Sequence, residues 1–255
     1  MSRVRSALSG AAPIAPQVLE FLRSIGIPVR EAYGMTENTA VATLTPEDDI
    51  RLGSVGISLP NSEVCIADDG EILTRSEATF LGYFKDLEAT AGAIVDSWLH
   101  TGDIGRLDDA GHLYITDRKK DIIITAAGKN ISPSEIENRL KMSPYIREAV
   151  VIGDKRRYLT ALIGIEADTV GDWATRRRIP YTTYQDLASK PEIRDLVAEA
   201  IDEANGEFAR VETIKHFELL PLELDHEDGQ LTATQKVKRS AIEEQFTELI
   251  DRMYR

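Results

Sequence analysis

Two short runs in this chain place residues where they could handle a phosphorylated nucleotide. The first is Ala32-Tyr33-Gly34-Met35-Thr36-Glu37-Asn38, where small residues follow an apolar run and the Thr36 hydroxyl stands next to the Glu37 carboxylate. Small residues let a ligand approach the backbone, and such a pair suits a phosphate oxygen with its magnesium ion. A surface turn with a chance Thr-Glu pair is the plainer reading of these residues alone. The second run is Trp98-Leu99-His100-Thr101-Gly102-Asp103. Gly102 permits a sharp turn, and the carboxylate after it could accept hydrogen bonds from a ribose diol or cap a turn. A third group, Lys236-Val237-Lys238-Arg239, puts three cations within four residues of a chain whose formal charge is −13. It reads either as charge placed for chemistry or as a patch at the start of a helix.

A charged knot, Asp117-Arg118-Lys119-Lys120-Asp121, organises the chain between these runs, with Tyr114-Ile115-Thr116 before it and Ile122-Ile123-Ile124 after it. Strand, charged turn, strand is the direct reading, which makes the knot the solvated turn of a two-stranded hairpin. Five charges of both signs also suit a joint between two domains, able to pair with different partners in two arrangements. Past the glycine loop Thr125-Ala126-Ala127-Gly128-Lys129-Asn130, Ser132, Pro133 and Glu135 fit the N-cap, first and third positions of a helix, so a helix is expected to begin there.

Composition narrows the classes. With 255 residues and 42% hydrophobic content the chain suffices for one large or two ordinary domains. The negative charge argues against nucleic acid or an anionic membrane surface as the main partner, so a phosphate ligand must be held by local cations. A single cysteine, Cys65, excludes an internal disulfide, and the scattered His100, His112, His216 and His226 make no metal spacing. Arg3 and Arg5 ahead of Ala7 and Leu8 begin like a secretory signal, but Gly10, Pro13 and Pro16 break the apolar run. No stretch approaches the length of a membrane span. The expected setting is soluble, reducing and cytoplasmic.

The elements that must carry these residues follow from periodicity. A strand is expected over residues 4–8, an amphipathic helix over 16–24 and a second strand over 27–31. Residues 52–114 change to short β runs at 55–57, 63–67 and 71–74, turned by Asp68-Asp69-Gly70 and Asp108-Asp109-Ala110-Gly111. They suggest a small open β barrel or a pair of antiparallel sheets. After the helix from Pro133, strands are expected over 146–152 and 158–165 and a helix over 170–178. Ser189 and Glu192 fit a capping box for the helix that follows. Residues 217–222 read as a strand and 240–254 as an amphipathic helix. An uncovered sheet edge near Met1 would need a partner.

Taken in order, these runs resemble motifs of the acyl-adenylate-forming enzymes, the superfamily of acyl-CoA synthetases, luciferases and peptide-synthetase adenylation domains. Ser9-Gly10-Ala11-Ala12-Pro13 is similar to the adenine-side loop, and Tyr33-Gly34-Met35-Thr36-Glu37 to the nucleotide motif. Gly70-Glu71-Ile72, Leu81-Gly82-Tyr83-Phe84 and Trp98-Leu99-His100-Thr101-Gly102-Asp103 match further motifs. Asp117-Arg118-Lys119-Lys120-Asp121 resembles the interdomain linker, and Thr234-Gln235-Lys236-Val237-Lys238-Arg239 the last motif with its lysine. The wording from Asp117 to Pro133 is most similar to long-chain fatty acyl-CoA synthetases.

The resemblance implies a fold and a set of roles. The fold is α/β: residues 1–117 as the end of a large AMP-binding domain, an α/β remnant plus a small β-barrel-like subdomain; 118–120 as hinge linker; and 121–255 as a small mobile α+β domain. Gly10, Ala11, Ala12, Glu31, Tyr33 and Gly34 would line the nucleotide, with Tyr33 stacked on adenine. Thr36 would hold the α-phosphate and Glu37 magnesium. Asp103 would take the ribose hydroxyls, assisted by Arg118, and Lys236 would bridge carboxylate and phosphate. The small domain would pivot at Lys120, replacing Lys236 by the Gly128–129 loop, Lys129 included, on the coenzyme A side. ATP or AMP, magnesium, coenzyme A and a fatty or other carboxylic acid are the implied ligands; a peripheral membrane contact is compatible, nucleic acid is not. Three features depart from the pattern: Gln235 stands where glycine is usual, Ser76-Glu77-Ala78 where Gly-Pro is common, and no glycine-rich phosphate loop precedes Tyr33. The chain is therefore expected to be a fragment or truncated member needing a missing N-terminal half. A noncatalytic nucleotide-binding or regulatory derivative is the alternative.

Overall fold

Short β runs broken by glycines and acidic turns cannot bury much apolar surface one by one, and in the first part of the chain they do so by pairing into two sheets. The computed structural model describes residues 4–11, 14–225, 229–231 and 237–255. It divides into two units, Met1–Lys120 and Asp121–Arg255. In the first, β1 (Ala7–Ser9), α1 (Pro16–Ser24), β2 (Val29–Tyr33), β3 (Thr43–Leu44) and β4 (Ile57–Ser58) come first. Their sheet has the order β1-β2-β3-β4, with β1 parallel to β2 and the other pairs antiparallel. Then follow β5 (Ser62–Ile66), β6 (Glu71–Ser76), α2 (Leu87–Ala93), β7 (Ile94–Val95), β8 (Trp98–Leu107) and β9 (Leu113–Arg118). They form an antiparallel sheet ordered β5-β6-β8-β7, with β9 also on β8. Among the described residues it stays open rather than closing into a barrel. The core of this unit is small: Tyr33, Ala42, Ile72 and Leu113 are buried together.

The second unit begins with β10 (Ile123–Ile124), β11 (Asn130–Ile131), α3 (Pro133–Leu140), β12 (Ile146–Ile152) and β13 (Leu159–Ile165). It continues with α4 (Ala167–Arg176), α5 (Tyr184–Ala188), α6 (Pro191–Asn205), β14 (Ile214–Leu219), α7 (Arg239–Gln245) and α8 (Thr247–Met253). β13 is the centre of the sheet β12-β13-β14, antiparallel to β12 and parallel to β14. All seven of its residues are buried, as expected of a strand covered on both faces. Alternation along β12 sorts the two cores: Ala149 and Val151 join the cluster with Ile136, Val170, Ile193 and Val197, while Val150 and Ile152 join Ile242, Phe246 and Ile250. No helix among the described residues is long and apolar enough to cross a membrane.

Several expectations are corrected. The hairpin across the charged knot does not form: β9 pairs with β8, and β10 pairs antiparallel with β11. Ser189 does not cap α6. It ends α5, an element the periodicity missed, whose N-cap Thr183 accepts from the Asp186 amide at 3.1 Å; Lys190 is the N-cap of α6 and Pro191 its first residue. Proline at the first helical position outweighs the nearby serine. The tail is two helices rather than one, meeting at Phe246 with φ −107°; beside it Thr247 Oγ1 donates back to the Glu243 and Glu244 carbonyls at 2.8 and 2.9 Å, a kind of bond that often bends helices. The strands expected over 4–8, 27–31 and 217–222 and the helix expected over 170–178 lie two or three residues from those positions.

Candidate functional site

The clearest constellation in the first unit is built on an irregularity of β8. Glu71 pairs with Ile104 and Leu73 with His100, so one residue of β6, Ile72, faces three of β8, namely Thr101, Gly102 and Asp103. Two extra residues must be absorbed, and Gly102 does it with φ +70°, a conformation that disfavours side chains. Bulges of this kind re-aim side chains. The Thr101 hydroxyl donates to the Ile72 carbonyl at 2.6 Å and accepts from the Asp103 amide at 3.1 Å, so a side chain replaces the missing ladder bonds.

The bulge leaves Asp103 6% exposed. The Tyr33 phenol donates to Asp103 Oδ2 at 2.6 Å, and Arg118 Nε lies 2.8 Å from Oδ1. Three elements therefore meet at one carboxylate: the end of β2, the middle of β8 and the end of β9, where Asp103 sits opposite Arg118. Burial first, and then the Asp103 charge, push the Tyr33 phenol pKa well up, so Tyr33 remains a donor. The Tyr33 ring itself is 7% exposed and packs in the core.

Beyond β2 the chain makes a single 3-10 turn, Thr36–Asn38. The buried Asn38 Oδ1 accepts from the Met35 amide at 2.8 Å, an anchor that residue type alone did not reveal. Gly34 has a steric role. A Cβ there would stand 2.2 Å from the Ala40 carbonyl oxygen and 2.6 Å from the Val41 nitrogen, so the chain's own returning backbone requires the glycine. Thr36 is exposed and Glu37 half-buried. Glu37 Oε1 accepts from the Tyr83 hydroxyl at 2.8 Å, and the Glu37 carbonyl accepts from the Phe80 amide at 2.8 Å. The Leu81-Gly82-Tyr83-Phe84 motif thus docks on the Thr-Glu turn.

Glu31, on β2, is a buried carboxyl at 9% exposure, and burial raises its pKa to about 7. Its neutral form is favoured by folding. The resulting stability is complete below the ordinary value of 4.5 and is lost as pH rises through about 7. Glu31→Gln should therefore flatten the fall in melting temperature between about pH 5 and pH 8 and raise it at pH 8. A variant that melts with the wild-type pH profile would refute this assignment.

The remaining expected residues are placed as follows. Gly10 and Ala11 follow β1 and are exposed, Ala11 with φ +67°; Ala12 lies outside the described residues. Lys120 is the last residue of the first unit. Gly128, at φ +73°, and Lys129 form the turn of the β10–β11 hairpin, closed by the Thr125 amide on the Lys129 carbonyl at 3.0 Å. Lys236 also lies outside the described residues. Its described neighbours are firmly held: Leu231 bridges Val237, the Lys238 amide donates to the Gln230 carbonyl at 2.8 Å, and Arg239 pairs with Glu137 at 2.7 Å. Arg239 also donates to the Val151 carbonyl at 2.6 Å.

The fold described above is shared with solved members of the AMP-binding enzymes. The o-succinylbenzoate CoA synthetase of Bacillus subtilis, solved with its acyl-adenylate intermediate, superposes with a TM-score of 0.73 at 26% identity over 93% of this chain and 45% of that one. Residues 1–84 match the family model described as AMP-binding enzyme, and residues 120–255 match the AMP-binding enzyme C-terminal domain. The chain belongs to this AMP-binding enzyme family. A long-chain-fatty-acid–CoA ligase of Mycobacterium bovis is 37% identical over 251 residues, 98% of this chain and 42% of the relative. The peroxisomal long chain acyl-CoA synthetase 7 of Arabidopsis thaliana is 36% identical over 99% of this chain and 39% of its own length. The chain thus spans about two fifths of the curated relatives it matches.

Proposed function

We propose that this chain is the C-terminal part of a long-chain fatty acyl-CoA ligase, carrying the ribose side of the nucleotide site and the small domain that exchanges between two half-reactions. The single observation behind this reading is the Asp103 carboxylate held by Tyr33 and Arg118, within a chain that matches ligases of that name over nearly its whole length. In the first half-reaction a fatty carboxylate oxygen attacks the α-phosphorus of ATP and diphosphate leaves. In the second, the coenzyme A thiol attacks the acyl carbon and AMP leaves. A carboxylate oriented by two donors is a preorganised acceptor for a vicinal diol, which is the chemistry Asp103 supplies. Thr36, exposed beside the half-buried Glu37, would meet the α-phosphate.

Glu37 also fits a magnesium partner. It is a lone carboxylate with one oxygen on the Tyr83 phenol, and no group of three potential metal ligands exists among the described residues. Magnesium bound chiefly by phosphates and water needs only one or two carboxylates, and its chemistry there would be to neutralise phosphate charge.

An upstream part of the large domain completes the enzyme in this reading, in a cytoplasmic setting. Val4, Leu8, Phe21 and Ile25 are 54%, 64%, 62% and 55% exposed, and α1 buries only Leu19. Exposed apolar side chains of this size suit a covering layer. The 255-residue chain alone should bind AMP and an acyl-adenylate analogue by titration calorimetry, yet form acyl-CoA from ATP, fatty acid and coenzyme A only at a trace rate. Robust turnover would refute the need for the upstream part, and absence of binding would refute the nucleotide site.

A further inference from the structure

Glu71 has no role in the reading above, although its motif was singled out in the sequence. It is 5% exposed, and a buried carboxylate is costly unless donors surround it. Here three do. Oε1 accepts from the Gly102 amide at 2.8 Å; Oε2 accepts from Lys119 Nζ at 3.0 Å and faces His100 Nδ1 at 3.1 Å. Burial pushes its pKa up, but the hydrogen bonds from His100, Lys119 and Gly102 outweigh that and hold it below the usual carboxylate range. Lys119 is drawn in from the other side as well: Nζ reaches Asp69 Oδ2 at 2.6 Å, and its amide donates to the Gly102 carbonyl at 2.8 Å.

Both peptide groups of Gly102 are therefore taken, one by Glu71 directly and one by the residue that Glu71 holds. Gly102 immediately precedes Asp103, and Lys119 immediately follows Arg118. We propose that Glu71 is the positioning residue of the ribose site, a single carboxylate that fixes the bulge presenting Asp103 and the strand end presenting Arg118. The identity of the ligand at Asp103 rests on the nucleotide reading given above; the clamp itself does not.

The test uses the 255-residue chain. In amide-proton spectra followed against pH, the Gly102 resonance should move with titration of one carboxylate below the usual range, and Glu71→Gln should abolish that movement. AMP affinity, followed by shift titration, should weaken about tenfold in Glu71→Gln, the size typical of coupled neighbours. In an Asp103→Ala background the same change should alter affinity by less than about twofold, since its target is gone. Should Glu71→Gln fail to fold, Lys119→Met, which removes only the ammonium side of the clamp, carries the affinity comparison and should weaken AMP in the same sense. Equal losses with and without Asp103, or a Gly102 amide indifferent to pH, would overturn the proposal. A chain that binds no AMP would overturn the nucleotide reading instead, and the Gly102 resonance then decides the clamp alone.

Discussion

In the complete enzyme, Lys236→Ala should lower the rate of adenylation by about two to three orders of magnitude, the usual cost of losing one preorganised charge contact in a transition state. The carboxylate and the α-phosphate are both anionic, and negative charge builds on phosphorus as they join, so a cation that meets both lowers the barrier more than it aids binding. Thioester formation from supplied acyl-adenylate should stay near wild type, because the proposed cycle withdraws Lys236 before that step. The loss should not come through unfolding. The residues on either side are tied down independently of the lysine side chain, by the Leu231–Val237 bridge, by the Gln230 carbonyl on the Lys238 amide, and by Arg239 on Glu137. Gln230 is itself fully buried, with Nε2 on Gln245 Oε1 at 3.0 Å. The measurement is diphosphate release and acyl transfer assayed separately, beside a thermal melt. An equal drop in both half-reactions would remove Lys236 from the role given to it.

Elements that bury a face of their own were legible in the sequence. β12 and β13 announce themselves by runs of branched apolar residues, and α6 by Ile193, Leu196, Val197 and Ile201, all of them buried. The strands β3, β7 and β11 were not, since each is two residues long and two residues have no period. The site divides the same way. Tyr33, Asp103 and Arg118 could be named from motif wording, but their convergence depends on the two extra residues of β8 opposite β6. That register is a long-range property, invisible in the local run. Thr101 carried a signal that went unread: a hydroxyl two residues before an aspartate can accept that residue's amide, as it does here at 3.1 Å. Gly34 was read as room for a ligand, whereas the nearest claim on that space is the Ala40 carbonyl. Glu71 could not have been found from composition, because its partners lie 29, 31 and 48 residues away.

The charged knot now supports a sharper expectation than its sequence did. On one side β9 is paired to β8 as far as Arg118, and Lys119 is held by Gly102, Asp69 and Glu71. On the other, pairing resumes at Ile123 with Ile131. Residues 120–122 are the only ones between with no strand partner among the described residues, so rotation of one unit against the other would fall on their torsions, Lys120 first. Proline at 120 would hold φ near −65° and remove the amide donor; it would also bias Lys119 toward extended backbone, which the end of a strand already tolerates. We expect Lys120→Pro to leave each unit folded, with a melting temperature close to wild type, while fixing their relative orientation. Adenylation should survive and acyl transfer should fail, by about a hundredfold if the second arrangement is left about 1% populated. Diphosphate release and acyl transfer, measured separately on the complete enzyme beside a thermal melt, decide it: two normal half-reactions would reduce residues 120–122 to a solvated connection, and a lowered melting temperature with both reactions impaired would assign the effect to stability instead of to the pivot.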